Sequence, residues 1–156
     1  MARTYDLALI PCTKMKNPMG VTPVSLYRSS PFSITMRHAQ QRCGRVLIMS
    51  AKYGLLDLTD RVAYYDWFIA TLTEEQRVAM LAELQVSIEA KRILNYEPPR
   101  VLSYLPALYF QTLAELTGWQ WAMTVHRPYK TLPSLTMMKV LANETKGFGT
   151  TGLARR

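Results

Sequence analysis

Cysteine is scarce in this sequence. Cys12 and Cys43 are the only two among 156 residues, and neither lies in a Cys-x-x-Cys pair or a Cys/His cluster. A disulfide framework and a zinc site are therefore not indicated. We expect no metal and no cofactor. Free thiols are typical of a reducing compartment, so the cytoplasm is the expected location.

Long hydrophobic runs are also missing. No stretch approaches the roughly 18 apolar residues that span a bilayer, and Arg3, Thr4 and Asp6 interrupt the first ten residues, where a signal peptide would be apolar. We expect no membrane partner. With 49% apolar residues, a chain of this length can bury its own core. The prediction is one α/β domain over residues 1–156, with a flexible polar tail from about residue 146.

Acidic residues are rare at both ends of the chain. Residues 1–52 hold eight Lys/Arg against Asp6 alone, and residues 119–156 hold six against Glu144 alone. The middle segment, residues 53–118, is acidic, with nine Asp/Glu against five Lys/Arg. If folding joins the basic ends, they form a positive face suited to phosphate, so DNA is the expected partner and RNA the alternative. A basic surface that serves only solubility is the other interpretation.

Strands and helices are predicted to alternate. Apolar runs at Leu7–Ile10 and Val46–Met49 are typical of strands buried on both faces, and further strands are predicted at 101–104 and 119–125. One helical turn is expected near Leu26. Four longer helices are predicted. The first runs from Ser30 to about Cys43, and the second runs from the capping residue Thr73 to about Asn95, with Val78, Leu81, Leu84 and Ile88 on its buried face. The third covers residues 106–116 before Gly118, and the fourth covers about 135–142. This order predicts a three-layer α/β fold, in which helices cover both faces of a mainly parallel sheet.

The carboxyl ends of parallel strands are where such sheets bind ligands. Four loops follow predicted strands; they begin at Cys12, Ala51, Leu105 and His126. The first is long, from Pro11 to Pro31, and the second is Ala51 to Leu56. The expected edge therefore gathers mostly basic residues from distant parts of the chain: Lys14, Lys16, Lys52, Tyr53, His126 and Arg127.

Two residue types in the first loop can act as nucleophiles. Lys14 and Lys16 follow a buried strand, where partial desolvation lowers a lysine pKa and frees the amine to attack or to form a Schiff base. Contact with phosphate is the alternative, and it is the one that the sequence by itself favours. Cys12 is a second candidate nucleophile, although a small residue that closes a buried strand is more often packing.

Acid–base candidates lie further along the chain. Asp66 stands between Tyr65 and Trp67, where burial would raise its pKa and suit it to acid or base work; a surface turn or helix cap is the alternative. His126 follows a predicted strand and could donate to a departing base, or be structural. Aromatic residues could stack on a flipped base or form ordinary core; these are Tyr27, Tyr53, Tyr65 and Trp67.

Four short motifs resemble those of a family of small phage and bacterial proteins of mostly unassigned function. They are a Cys-x-Lys-x-Lys loop at Cys12, Lys14 and Lys16, a Leu-Tyr-x-Ser segment from Leu26 to Ser29, a Ser-Ala-Lys-Tyr-Gly-Leu-Leu block from Ser50 to Leu56, and the pair Tyr65 and Asp66. The resemblance covers about the first seventy residues, and the seven-residue block is its most specific part.

Two further groups are more distantly similar. Pro11, Cys12 and Lys16 resemble the catalytic core of archaeosine synthase, which joins lysine to a deazaguanine base in transfer RNA. Tyr53, Gly54 and Leu56 resemble a loop of the YaaA-type stress proteins, which bind DNA. Such cores are similar in fold to uracil-DNA glycosylases, and His126 and Arg127 stand where those enzymes carry a His-Pro loop. The resemblances imply a uracil-DNA glycosylase-like fold and a role on nucleic acid.

The leading hypothesis is a DNA glycosylase that flips and excises a modified base, leaving an abasic site, in phage DNA modification or anti-phage defence. Asp66 would orient water or stabilise the sugar cation, His126 would assist the leaving base, and Lys16 could instead attack the sugar. The assigned substrate-binding residues are Lys14, Tyr27, Ser29, Lys52, Tyr53, Tyr65 and Arg127. The alternatives are a base-hypermodifying transferase that uses Cys12 or Lys16 on a deazaguanine-type base, and a DNA-binding module without catalysis.

Overall fold

Four strands form one mixed sheet in the computed structural model, which describes residues 5–12, 16–27, 30–97 and 100–119. The strands, in chain order, are β1 (Tyr5–Pro11), β2 (Cys43–Ser50), β3 (Gly54–Asp57) and β4 (Val101–Ser103). Their order across the sheet is β3-β2-β1-β4. Strand β1 runs parallel to both β2 and β4, whereas β3 is antiparallel to β2. The predicted α/β class with a mainly parallel sheet is therefore observed.

Within the described residues, four α-helices accompany these strands: α1 (Pro23–Leu26), α2 (Ser30–Arg42), α3 (Glu74–Ala90) and α4 (Ala107–Thr117). Helix α3 begins with the predicted capping box, because Thr73 and Gln76 each accept a hydrogen bond from the other's backbone N–H. Helix α4 ends at Gly118, whose φ of 77° is the left-handed conformation that favours glycine. The single turn of α1 near Leu26 and the start of α2 at Ser30 also agree with the sequence prediction.

Alternate residues of β1 face two different cores. Leu7 and Leu9 pack in a cluster with residues of α3 and α4, among them Leu84 and Leu113. Ala8 and Ile10 pack in a second cluster with residues of α2, namely Phe32, Met36 and Ala39. Helices therefore cover both faces of the sheet, as predicted. Among the described segments, no helix is long and apolar enough to cross a membrane.

The segment after β2 differs from its prediction as a loop. Only residues 51–53 form a turn, and the chain then doubles back as β3, where Leu55 pairs with Met49 and Leu56 with Ile48. Leu55 and Leu56 are buried in opposite cores, which holds this short strand in place. The prediction that Ala51 to Leu56 is entirely loop is therefore wrong.

The buried face and the end of α3 also differ from the sequence prediction. Val78, predicted to be buried, is 59% exposed, and Met80 lies in the core instead. The helix ends at Ala90 rather than near Asn95, because Arg92 takes a left-handed φ of 56° and a 3₁₀ turn follows. The strand predicted at 119–125 extends beyond the described residues, and the helix predicted at 135–142 and the polar tail lie outside them.

A cluster of ion pairs joins β2, β3 and the end of α3. Arg45 donates two hydrogen bonds to the Asp57 carboxylate, at 3.0 and 2.9 Å, and a third to the Lys91 carbonyl oxygen. The Lys91 ammonium contacts Asp57 at 3.1 Å and Asp60 at 2.6 Å. The Arg45 hydrogen bonds hold the pKa of Asp57 below its ordinary value of 3.8.

We expect Asp57→Asn to lower the free energy of unfolding at pH 7 by about 1 to 2 kcal/mol, because Arg45 and Lys91 lose a shared anionic partner. The folded-state pKa is depressed, so this stabilisation is present above the unfolded-state pKa and is lost as the pH falls through the folded-state value. Urea denaturation at several pH values would measure the difference between the two proteins. A difference that did not shrink between about pH 7 and pH 2.5 would contradict this account.

Candidate active site

The carboxyl ends of β1, β2 and β4 meet at one edge of the sheet, as the parallel pairing requires. Cys12 follows β1 there, and its N–H donates to the Met49 carbonyl oxygen at 3.1 Å. The partly buried Cys12 Sγ lies 3.1 Å from the Tyr109 hydroxyl, which α4 supplies from its first turn. Burial raises the pKa of Tyr109, so its hydroxyl is protonated at physiological pH. The thiol therefore has a phenolic neighbour.

Three hydroxyl groups form a chain beside this thiol; we call Ser50, Tyr65 and Tyr27 the hydroxyl relay. Ser50 Oγ accepts hydrogen bonds from the N–H groups of Lys52 and Tyr53, at 3.1 and 3.0 Å. It donates to the Tyr65 hydroxyl at 2.8 Å, and that hydroxyl lies 2.6 Å from the Tyr27 hydroxyl. Burial raises the pKa of both tyrosines, so the relay is neutral.

Lys16 lies against this relay. Its backbone forms an antiparallel bridge with Tyr27, and its Nζ is 4.4 Å from the centre of the Tyr65 ring, a distance typical of a cation–π contact. Burial lowers the pKa of Lys16, and the opposing attraction to Cys12 and Asp66 is smaller. The amine is therefore easier to deprotonate than that of a surface lysine, as its place after a buried strand predicts.

The turn after β2 contributes Lys52 and Tyr53. The Lys52 Nζ lies 5.7 Å from the ring centres of both Tyr53 and Trp67. The Tyr53 hydroxyl accepts a hydrogen bond from the Ala63 N–H at 3.2 Å, and its ring meets Tyr65 edge-on at 5.5 Å. The turn is thereby held against residues 62–67, with Lys16 over the Tyr65 ring and Lys52 near the Tyr53 ring.

Asp66 is exposed, so the prediction that the flanking aromatic residues bury it is wrong. Residues 61–68 have no regular secondary structure, and within them Tyr65 is buried while Asp66 stays in solvent. The carboxylate is nevertheless close enough to Lys16 to interact with it electrostatically. The structure therefore brings Asp66 to the site as an exposed anion.

The stacking role predicted for Tyr27 and Tyr65 also needs correction. These side chains are 2% and 4% exposed, and their rings pack edge-on against each other. Tyr27 also packs on Phe32. Neither ring face is free to receive a base. Tyr53 and Trp67 are partly buried, and the stacking role of these two residues stays a prediction.

The remaining predicted residues lie outside the part of the chain that the structure describes; they are Lys14, Ser29, His126 and Arg127. The described part brings together Cys12, Lys16, Lys52, Tyr53 and Asp66 around the relay. No group of three or more His, Cys, Asp or Glu side chains that could hold a metal ion occurs within that part.

Two residues of the site were not among the predicted ones. Ser50 is a polar residue that ends a buried strand at the edge where parallel sheets generally bind ligands, and this position could have singled it out. Tyr109 carries no comparable signal, because it is separated from Cys12 by 97 positions and meets it only through the packing of α4.

Comparison with known proteins identifies a family but no activity. No curated protein and no solved structure showed significant similarity to this chain. Residues 7–143 match a protein family described as a family of unknown function, DUF6884. The matched segment begins in β1, contains every described site residue and covers well over half of the sequence. The chain therefore belongs to the DUF6884 family.

Proposed function

We propose that this protein is a nucleic-acid enzyme that flips a modified base and breaks its N-glycosidic bond, with Lys16 as the nucleophile. The observation that carries the proposal is the Lys16 amine, which is partly buried, lies 4.4 Å from the centre of the Tyr65 ring and interacts with the exposed Asp66. An amine with a lowered pKa beside a carboxylate suits attack on an electrophilic carbon.

The reaction begins with the neutral Lys16 amine. Its nitrogen forms a bond to C1′ of the sugar while the bond from C1′ to the base breaks. The base leaves with the electron pair of the broken bond and takes up a proton, which His126 would donate. The amine loses a proton as the new bond forms, and Asp66 would accept it. The bond from C1′ to the ring oxygen then breaks, the ring oxygen takes up the proton held by Asp66, and a Schiff base forms between Lys16 and C1′. Water hydrolyses this Schiff base, which frees the Lys16 amine and leaves an abasic site.

Nucleic acid is the proposed substrate because of the charge distribution and the sequence resemblances. The first 52 residues carry a net charge of +7, and Lys16 and Lys52 stand at the ligand-binding edge. Lys52, Lys14 and Arg127 would contact phosphates, which makes binding salt-dependent. The partly buried Tyr53 ring would stack on the flipped base. A uracil-DNA glycosylase-like arrangement of the sheet belongs to the same proposal.

Cys12 favours a second candidate, a transferase that modifies a deazaguanine-type base without breaking the strand. The thiol lies at the same strand edge and 3.1 Å from the Tyr109 hydroxyl, which can donate a hydrogen bond to a developing thiolate. In this candidate Cys12 forms the covalent bond to the base, and Lys16 contributes only its positive charge to the site.

One assay separates these candidates. The protein is incubated with genomic DNA that carries ordinary or hypermodified bases, and with RNA, and free bases, abasic sites and altered nucleosides are measured. Released base with abasic sites supports the glycosylase. A new nucleoside in intact strands supports the transferase and overturns the glycosylase, and salt-sensitive binding with no product leaves a DNA-binding module.

Asp66→Asn is expected to slow base release about 10²-fold, because the attacking amine loses its proton acceptor. Asp66 is exposed, so the variant should keep its melting temperature and its affinity for DNA. Single-turnover base release measures the effect. The matched control is Asp6→Asn, an exposed aspartate near the start of β1 that pairs with Arg100 and should leave the rate unchanged. Full base release by Asp66→Asn would show that this carboxylate takes no part.

A further inference from the structure

Three contacts join Lys16, Tyr27 and Tyr65 in a closed circuit. The backbones of Lys16 and Tyr27 are bridged, the hydroxyls of Tyr27 and Tyr65 lie 2.6 Å apart, and the Tyr65 ring lies under the Lys16 Nζ. Each of these three residues therefore contacts the other two. The Lys16 side chain is therefore held at both ends, at its backbone and at its amine, although it belongs to a long loop.

Ser50 anchors this circuit to the sheet. Both acceptor positions of its Oγ are used by the N–H groups of Lys52 and Tyr53. The one remaining function of the hydroxyl is to donate its proton, and it donates to Tyr65. Ser50 is also the last residue of β2, hydrogen-bonded within the sheet and 1% exposed. Its hydroxyl thus fixes Tyr65 relative to a rigid strand and orders the turn that carries Lys52.

We infer that Ser50 is a positioning residue that acts through Tyr65 to hold the Lys16 amine at the strand edge. The inference deepens the proposed function and rests on it only in naming Lys16 as the reacting group; the contacts themselves involve no substrate. Three groups bear on the protonation of the amine: the Tyr65 ring that it contacts, the Cys12 thiol and the Asp66 carboxylate, while Tyr27 meets Lys16 through the backbone.

Loss of the Ser50 hydroxyl has a specific consequence for this amine. Tyr65 loses the donor that fixes its hydroxyl, and two backbone N–H groups lose their acceptor. The ring is then free to tilt, and the amine moves into solvent. Because burial is the main reason for the lowered pKa of Lys16, hydration of the amine raises that pKa towards the value of an ordinary lysine.

Chemical labelling of the free protein tests this inference without any nucleic acid. Acetylation by a small amine-specific reagent is followed at each lysine by mass spectrometry over a range of pH, and the titration midpoint of Lys16 is obtained separately from its accessibility. In Ser50→Ala the midpoint should rise by at least about half a unit, so that at about pH 8 the labelling rate, taken relative to its own limiting rate at high pH, should fall by about threefold or more. This ratio gives the neutral fraction of the amine and does not depend on its accessibility. Ser50→Thr keeps the hydroxyl and should behave as wild type.

Two further variants keep the test decisive. Tyr65→Phe preserves the ring but breaks the relay, and it should raise the Lys16 midpoint even if Ser50→Ala fails to fold. Ser87→Ala removes another buried serine hydroxyl, one that bonds Leu55 N–H and the Leu84 carbonyl, and should leave the Lys16 midpoint unchanged. Folded Ser50→Ala and Tyr65→Phe proteins with the wild-type midpoint would overturn the inference, whatever the outcome of the base-release assay.

Discussion

Replacement of Lys16 by arginine is expected to abolish base release, with a loss of at least about 10³-fold, while DNA binding changes little. Arginine keeps the positive charge and the contact with the Tyr65 ring, but a guanidinium is not deprotonated near neutral pH and cannot attack C1′. Lys16→Ala should lose the same activity and also bind DNA more weakly, because it removes a positive charge from this edge of the sheet. Single-turnover base release and salt-dependent DNA binding measure the two effects separately.

The matched control is Lys91→Arg. Lys91 is the other described lysine with strong side-chain contacts, and its ammonium pairs with Asp57 and Asp60, remote from Cys12 and Lys16. This variant should release base at the wild-type rate. If Lys16→Arg retained most of the activity, the charge of Lys16 and not its amine would be what matters, and nucleophilic attack by Lys16 would be wrong.

Gly54→Ala is expected to cost about 3 kcal/mol or more of unfolding free energy. Gly54 begins β3 with a φ of +73°, and an added Cβ would lie 2.6 Å from Ser87 Oγ and 2.8 Å from the Glu83 carbonyl oxygen. Ser87 cannot move aside without losing its hydrogen bonds to Leu55 and Leu84. The clash therefore pushes α3 away from the sheet, beside the turn that holds Lys52.

Gly118→Ala measures the cost of backbone strain without this clash. Gly118 has nearly the same φ, +77°, but an added Cβ there would meet no atom of the described residues within 4 Å. Its cost should be only about 1 kcal/mol, that of a left-handed alanine. Urea denaturation of both variants gives the comparison. Equal losses at the two positions would mean that the packing of Gly54 against α3 contributes nothing.

The elements that were predicted correctly have local signals. Continuous apolar runs indicated β1 and β2, the Thr73 and Gln76 pair indicated the start of α3, and Gly118 indicated the end of α4. Strand β3 has no such signal, because its four residues become a strand only by pairing with β2. The buried face of α3 was misassigned for a related reason, since apolar residues such as Val78 and Val86 also occupy its exposed side.

The site was predictable where it depends on strand order and not where it depends on side-chain packing. Parallel strands had to bring Cys12 and the turn carrying Lys52 to one edge, and they do. By contrast, residues 61–68 have no helical or strand periodicity, so the sequence could not decide that Tyr65 points inward and Asp66 outward. The hydroxyl relay likewise exists only once Ser50, Tyr65 and Tyr27 have been folded together.

Reductive trapping tests directly whether the Lys16 amine attacks the sugar. The protein is incubated with DNA containing the base that it releases, borohydride is added during turnover, and the protein is digested with protease and nuclease for mass spectrometry. We expect a deoxyribose remnant joined to the side chain of Lys16, since borohydride reduces a Schiff base to a stable amine. Base release with no trapped product, or with the sugar joined to another lysine, would contradict it.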